Sequence, residues 1–170
     1  MKKALSFLNA ISEFLGSALS WLIYATMLVT CSVVVLRYGF DISIIAMQES
    51  ITYLHACVFM LGIAFTLKRD GHVRVDIFYR RYSPRTKALI DLIGTLIFLI
   101  PLCVFILMMS WDFVANSWAV SEKSVEAEGI PAVYLLKTLL PAMAVLLLLQ
   151  AIAELLKNAL LLRETQHQHD

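Results

Sequence analysis

Apolar positions in this chain neither alternate nor keep to one helical stripe; they run on. Phe14–Leu36, Ser50–Leu67 and Leu92–Trp111 contain no Asp, Glu, Lys or Arg. A fourth run, Thr138–Ala153, extends back to Ala132 if it takes in Lys137. A helix crossing the hydrocarbon core needs about 20 mostly apolar residues. Transmembrane strands are about 10 residues long and alternate apolar with polar, which these runs do not. Lipid supplies no hydrogen bonds to the backbone, so runs of this length must satisfy it internally, as helices. The pattern predicts an all-α integral membrane protein, a single four-helix domain over residues 1–170 with spans near 14–36, 48–67, 90–112 and 132–154. Composition agrees: the chain is 60% hydrophobic with a mean hydropathy of +0.78, too apolar for an ordinary soluble domain of this size.

Charge then orients the bundle. Eleven of the fourteen Lys and Arg residues fall in the N-terminal tail, in the connection between the second and third runs, and in the C-terminal tail. Only Arg37, Lys123 and Lys137 lie on the other side. The positive-inside rule therefore places both termini and the basic middle loop in the cytoplasm. The long outer loop is acidic, with Asp112, Glu122, Glu126 and Glu128 against Lys123. A net charge of +1, distributed by membrane topology, gives no reason to expect a nucleic-acid partner. Lys2-Lys3 before an apolar run resembles the start of a signal peptide. Glu13, the length of the run and the lack of a nearby small-residue cleavage site favour an uncleaved first span.

Local signals fill in the spans. Gly16, Ser20 and Tyr24 share a face of the first helix, where small residues allow close approach of a neighbour. Arg37 is either a helix-end cation or a partner for Asp41, Glu49 or another subunit. Gln48, Thr52, His55, Phe59, Gly62 and Thr66 follow one face of the second helix, and that face is expected to be buried against protein, because polar groups are costly in lipid. His55 reads as hydrogen-bonded packing, or more sharply as a proton-linked or ligand-binding group. Glu49 reads as an interface anchor, or as a coupling carboxylate. Gly71 is a candidate helix stop, and Ser83-Pro84 a candidate N-cap and first helical position. Between them charged and apolar residues interleave, as in a segment lying at the headgroup surface or docking another subunit. Pro101 is expected to kink the third helix. Trp111 and Trp118 suit the interfacial aromatic belt. Lys137 is expected to snorkel outward and meet one carboxylate.

Chemistry-bearing motifs are missing. Cys31, Cys57 and Cys103 stand singly, without the paired spacing of a thiol oxidoreductase or zinc site. No nucleotide loop, H-E-x-x-H or nucleophile elbow occurs, so no cofactor or catalytic residue is expected. There is no acidic pair near a bilayer midplane and no matched helix break of the secondary-transporter kind. His167 and His169 lie in a polar tail. A small bundle of this kind reads as an accessory subunit whose partner carries the chemistry; the alternative is a self-assembling small transporter or channel.

The order of short motifs is recognisable. Arg37-Tyr38-x-Phe40, Gln48-Glu49, Gly71-His72-Val73-Arg74-Val75-Asp76, Ser117-Trp118, Glu122-x-Ser124, Gly129-x-Pro131, Lys137 and Pro141 succeed one another. The chain resembles, from about Ser12 to Glu154, the small membrane subunit (DctQ type) of tripartite ATP-independent periplasmic (TRAP) transporters. One departure is Met47-Gln48-Glu49, where such proteins often carry a Trp and two acidic residues; Glu49 is the acid that remains. The resemblance implies three proteins in the bacterial inner membrane and periplasm. A periplasmic binding protein captures an organic acid, and a large membrane subunit moves it with sodium ions. The small subunit enlarges the stationary scaffold. On that reading Arg37, Gln48, Glu49, His72, Arg74, Asp76 and Lys137 are subunit-interface candidates. Trp118, Glu122, Glu126 and Glu128 are candidates for docking the binding protein, and lipids are further partners.

Overall fold

A computed structural model describes residues 2–72 and 79–166; Arg74, Asp76 and the tail histidines lie outside them. Among the described residues four helices are long and apolar enough to cross a membrane, and there is no strand. They are α1 (Lys2–Gly39), α2 (Ile45–Lys68), α3 (Pro84–Ala119) and α4 (Val133–Gln166). Each apolar run read from the sequence falls inside one of them; α1, α2 and α3 overrun their spans at both ends, and α4 starts at Val133 and runs on past its span to Gln166.

The helices do not close into a ring. α1 packs along α2, and α4 touches α1, α2 and α3, whereas α3 makes appreciable contact only with α4. The most apolar stretch of α4 is accordingly 28% buried, against 6% for each of the other three. Lipid tails are as apolar as leucine, so helices associate in a bilayer through close packing and polar contacts rather than through hydrophobic burial. The buried positions follow that rule. Ala64, Ala88, Ala144, Ala151 and Ala153 line the seams, while large side chains such as Phe14, Phe98 and Phe105 face outward. At Gly16 an added Cβ would lie 2.4–2.6 Å from the Phe65 ring, so α1 meets α2 at the one residue there without a side chain. Ser20 turns back to the Gly16 carbonyl (3.0 Å). Tyr24, expected on the same contact face, is instead exposed and packs on Trp21.

Polar groups pin the end that carries both termini, called here the basic end. Ser12 Oγ donates to Gln150 Oε1 (2.7 Å) across α1 and α4, and Gln150 is only 1% exposed. Glu13 accepts from Lys68 Nζ (2.9 Å) and Arg69 Nη2 (2.9 Å), and Lys68 also reaches the Asn9 carbonyl (2.7 Å).

Helix ends are made by Asp and Ser rather than by Gly. Asp41, Asp70 and Ser121 have φ of 56°, 52° and 47°, and no described Gly has positive φ. After α2 the Asp70 N–H bonds Leu67 O (3.1 Å) and the Gly71 N–H bonds Thr66 O (2.9 Å). After α3 the Ser121 and Glu122 N–H groups bond Trp118 O (3.1 Å) and Ser117 O (3.0 Å) in the same pattern. Both are the paired closure that normally places Gly in the left-handed position. Gly71 thus sits one residue beyond the stop expected of it, and Gly39 stays within α1. The Ser83 cap is as read: its Oγ accepts from Thr86 N–H (3.2 Å), with Pro84 at the first helical position. Pro101 is met by a widened π turn, Thr95–Leu99, in which Ile100 N–H bonds Thr95 O. Such a local adjustment accommodates the donor that proline lacks.

Gly16→Ala is expected to destabilise the chain by about 1–3 kcal/mol, the range for overpacking. The measurement is the unfolding temperature of the purified chain in detergent. Adding Phe65→Leu should recover most of the loss, and an unshifted temperature for the single variant would rule out the tight approach.

Candidate functional site

The end opposite the basic one is organised around two carboxylates. Glu49 lies in the second turn of α2, where the helix dipole favours a negative charge. It reaches across to the connection between α3 and α4, accepting from Ser124 Oγ and from the Ile130 N–H (2.7 Å). Gly129 makes that approach possible. A Cβ there would lie 2.3–2.4 Å from the Ser124 side chain and 2.8 Å from Glu49 Oε1. The requirement is one of space, since no described glycine has positive φ.

Glu122 is the second carboxylate. Lys137 Nζ contacts it at 2.5 Å and Ser117 Oγ donates to it at 2.6 Å. The Lys137 ammonium lies 4.1 Å from the centre of the Phe113 ring. The hydrogen bond from Lys137, and then that from Ser117, holds the Glu122 carboxyl below its ordinary value of 4.5. Beside this pair, Trp118 Nε1 donates to Thr138 Oγ1 (2.8 Å) and its ring meets Tyr134 edge-on at 4.6 Å. Together these contacts clasp α3 to α4 and fix the connection between them, while Glu49 ties the same connection to α2. The inner face of the loop is therefore occupied. Its outer face carries Lys123, Val125, Glu126 and Glu128, all exposed, and the two glutamate side chains make no hydrogen bond or ion pair with a described residue.

The remaining predicted residues spread over open surface. Arg37 is exposed beside Tyr38 and Phe40, and neither it nor Asp41 pairs with any described residue. Gln48 serves its own helix start, donating to Ser43 Oγ (3.0 Å). His72 is exposed just past the end of α2. The expectation that one face of α2 is buried along its whole length needs correction. Its lower part is covered, with Leu19 of α1 3.6 Å from where a Gly62 Cβ would stand. Its upper part is not: Thr52, His55 and Phe59 are exposed, with the His55 and Phe59 ring centres 4.5 Å apart. The lower residues of that face, Gly62 and Thr66, are half-buried where α1 lies over them. One turn from Glu49, the Tyr53 hydroxyl is buried without a hydrogen-bond partner among the described residues.

Sequence reasoning missed the cross-links at the basic end. Glu13 signalled one, as a lone acid in an apolar stretch with Lys68-Arg69 waiting at the end of α2. Nothing along the chain signalled the Ser12–Gln150 bond.

The clasp joins motifs scattered over the chain: Gln48-Glu49, Ser117-Trp118, Glu122-x-Ser124, Gly129-x-Pro131 and Lys137. A family model described as tripartite ATP-independent periplasmic transporters, DctQ component, matches residues 26–161. The chain belongs to the DctQ family. It is a multi-pass membrane protein and a small permease component of TRAP transporters. Comparison with curated proteins and with solved structures yields no match. The matched DctQ region contains the whole clasp, and Ser12 and Glu13 precede it.

Two outcomes are expected. Glu49→Ala leaves the part-buried Ile130 N–H without its acceptor, a loss of about 1 kcal/mol, the lower end of the range for an unsatisfied donor. Hydrogen exchange of the Ile130 amide should accelerate while amides at the basic end keep their protection. For Glu122 the sign follows from its lowered folded pKa. Its stabilisation is complete above the ordinary 4.5 and is lost as pH falls through the folded value. Thermal unfolding between pH 7 and 3 should show a decline in stability over that acidic window that is smaller in Glu122→Gln. Equal profiles for the two proteins would remove Glu122 from the clasp's energetics.

Proposed function

We propose that this chain is the non-catalytic small subunit of a TRAP secondary transporter, a fixed support for a large membrane subunit. That subunit carries out sodium-coupled uptake of an organic acid delivered by a periplasmic binding protein. One observation carries the reading: His55 and Thr52 stand exposed in the middle of a membrane-length helix. Polar side chains at that depth face protein or a water-filled cavity rather than lipid, and α1, α3 and α4 do not cover them. A large helical partner would. Exposed Arg37, next to Tyr38 and Phe40 at the end of α1, extends the same open surface.

The charge distribution supports an orientation with the basic end in the cytoplasm of a bacterial inner membrane. The clasped loop then faces the periplasm. Glu126 and Glu128 become the docking charges for the binding protein, and Glu122, already engaged by Lys137, shapes the loop that presents them.

In liposomes the chain alone should move no organic acid, and pulled from membranes it should bring a many-helix permease with it. Transport by the isolated chain would overturn the support role. Glu126→Lys with Glu128→Lys should slow association of the binding protein at low salt by about tenfold or more, the lower range of electrostatic steering. The effect should shrink as salt screens the charges. Equal association rates at all ionic strengths would remove the loop from docking.

A further inference from the structure

We propose that α3 at the basic end holds an anionic glycerophospholipid, its phosphate on Arg85 and an acyl chain along the helix below. Arg85, Leu89 and Ile93 recur every four residues, and Leu96 and Ile97 follow one turn later, so the five share a helix face. Arg85 is exposed, and the four aliphatic side chains are 44–57% exposed. The stripe opens on a cation and continues as hydrocarbon toward the middle of a membrane-length helix. An anionic amphiphile has the complementary order, charge first and hydrocarbon after.

Arg85 also lines a cavity of about 370 Å³, together with Thr86 and Leu89 of α3 and Leu162 of α4. Small-ligand sites run from about 300 to 1,000 Å³. No described carboxylate lines this one. The Arg85 guanidinium makes no hydrogen bond, ion pair or ring contact with a described residue. The same holds for Arg163, the exposed neighbour of Leu162. Guanidinium groups present paired N–H donors that match phosphate oxygens. Ser83 and Thr86 share one hydrogen bond between their hydroxyls (2.9 Å). Each hydroxyl carries one proton, so that bond uses one and leaves the other for an acceptor from outside the chain.

Depth fits the same occupant. Arg85 precedes Ile90, where the expected span begins, by five residues, about 7 Å along the helix axis. The headgroup layer is about 5–8 Å deep on each side of the hydrocarbon core. Tyr82, 44% exposed just before the helix, is of the aromatic type that favours this interface.

Other accounts of Arg85 explain less. Cations in the first turn of a helix work against its dipole, so α3 gains nothing from Arg85 on its own behalf. Topology asks for positive charge at this end, but not for a cation crowning an apolar stripe. A soluble anion would engage the guanidinium and leave the stripe unused. A zwitterionic lipid would bring its own ammonium beside Arg85.

The test uses the full chain in detergent, stripped of lipid. It is then given phosphatidylglycerol, phosphatidylethanolamine with the same acyl chains, or inorganic phosphate. Native mass spectrometry and unfolding temperature are the readouts. Phosphatidylglycerol should be retained at least about fivefold better than phosphatidylethanolamine, the contribution of one basic residue at an anionic headgroup, and should raise the unfolding temperature more. Arg85→Gln should remove about that factor, and Arg85→Gln with Arg163→Gln more than about tenfold. Lys123→Gln removes the same charge from the exposed loop at the other end and should leave retention unchanged. Leu89→Glu, at an exposed position, should abolish the preference by setting an acid where the phosphate lies. All four proteins should keep the same circular dichroism spectrum, since none of these side chains holds the fold. Equal retention of the two lipids, or an equal loss in Lys123→Gln and Arg85→Gln, would overturn the proposal. So would stabilisation by inorganic phosphate as large as that by the lipid, which would give Arg85 to a soluble anion. A dimer in the same spectra that Arg85→Gln dissociates would give the face to a second copy and overturn it too. No large subunit or transport assay enters the test, so its failure leaves the proposed support role untouched.

Discussion

A polar side chain inside a bilayer has to be met by protein, and the structure is arranged around where this chain meets that demand and where it does not. At the basic end Ser12 answers Gln150 and Glu13 answers Lys68 and Arg69, so α1 is bound to both α2 and α4. At the opposite end Glu49 and Glu122 hold one connection from two sides, binding α2, α3 and α4. Between these two belts the buried positions are largely small, Ala64, Ala144, Ala151 and Ala153 among them, and Gly16 lies close against Phe65. Packing alone holds the middle, and packing between small residues leaves large faces uncovered. The result is a bundle fixed at its rims and open along its flanks.

That arrangement explains the unequal helices. α4 has protein on three sides and carries the buried Gln150, Ala151, Ala153 and Asn158. α3 makes appreciable contact only with α4 and turns Phe98, Phe105, Met108 and Trp111 outward. Aromatic and long aliphatic side chains suit lipid, so α3 needs no further cover. The upper face of α2 differs, because it presents His55 and Thr52. Two kinds of open surface follow from one fold: an apolar kind that a bilayer satisfies, and a polar kind that calls for another protein.

Much of this was legible in the sequence. Uninterrupted apolar runs of membrane length leave few alternatives to helices, and Ser83-Pro84 marks a helix start through local geometry alone. Lys137 was readable as a cation in search of an outer carboxylate, because an ammonium at that depth has few other outlets. Other features depended on groups far apart in the chain. Ser12 and Gln150 are ordinary residues until α1 and α4 cross. The turn after α2 was misjudged because Gly71 looked like the stop, whereas Asp70, like Asp41 and Ser121, adopts the left-handed conformation. Short polar side chains tolerate that conformation, and carbonyls at the helix ends compensate its cost. Periodicity picked out one face of α2, but periodicity alone does not reveal whether a neighbour covers it, and Thr52, His55 and Phe59 are exposed.

Rigid ends joined by an open middle also suit a supporting subunit on mechanical grounds. A component that must hold still while a neighbour moves has to resist shear between its own helices. Hydrogen-bonded belts at both rims do this better than a greasy core, since lipid competes for apolar contacts but not for a carboxylate already held by a backbone N–H and a hydroxyl. The Glu49 linkage matters most here. It joins the α1–α2 pair to the α3–α4 pair, between which α3 and α2 make no appreciable contact. Without it, only α4 would connect the two halves, and the connection between α3 and α4 would be held by those two helices alone.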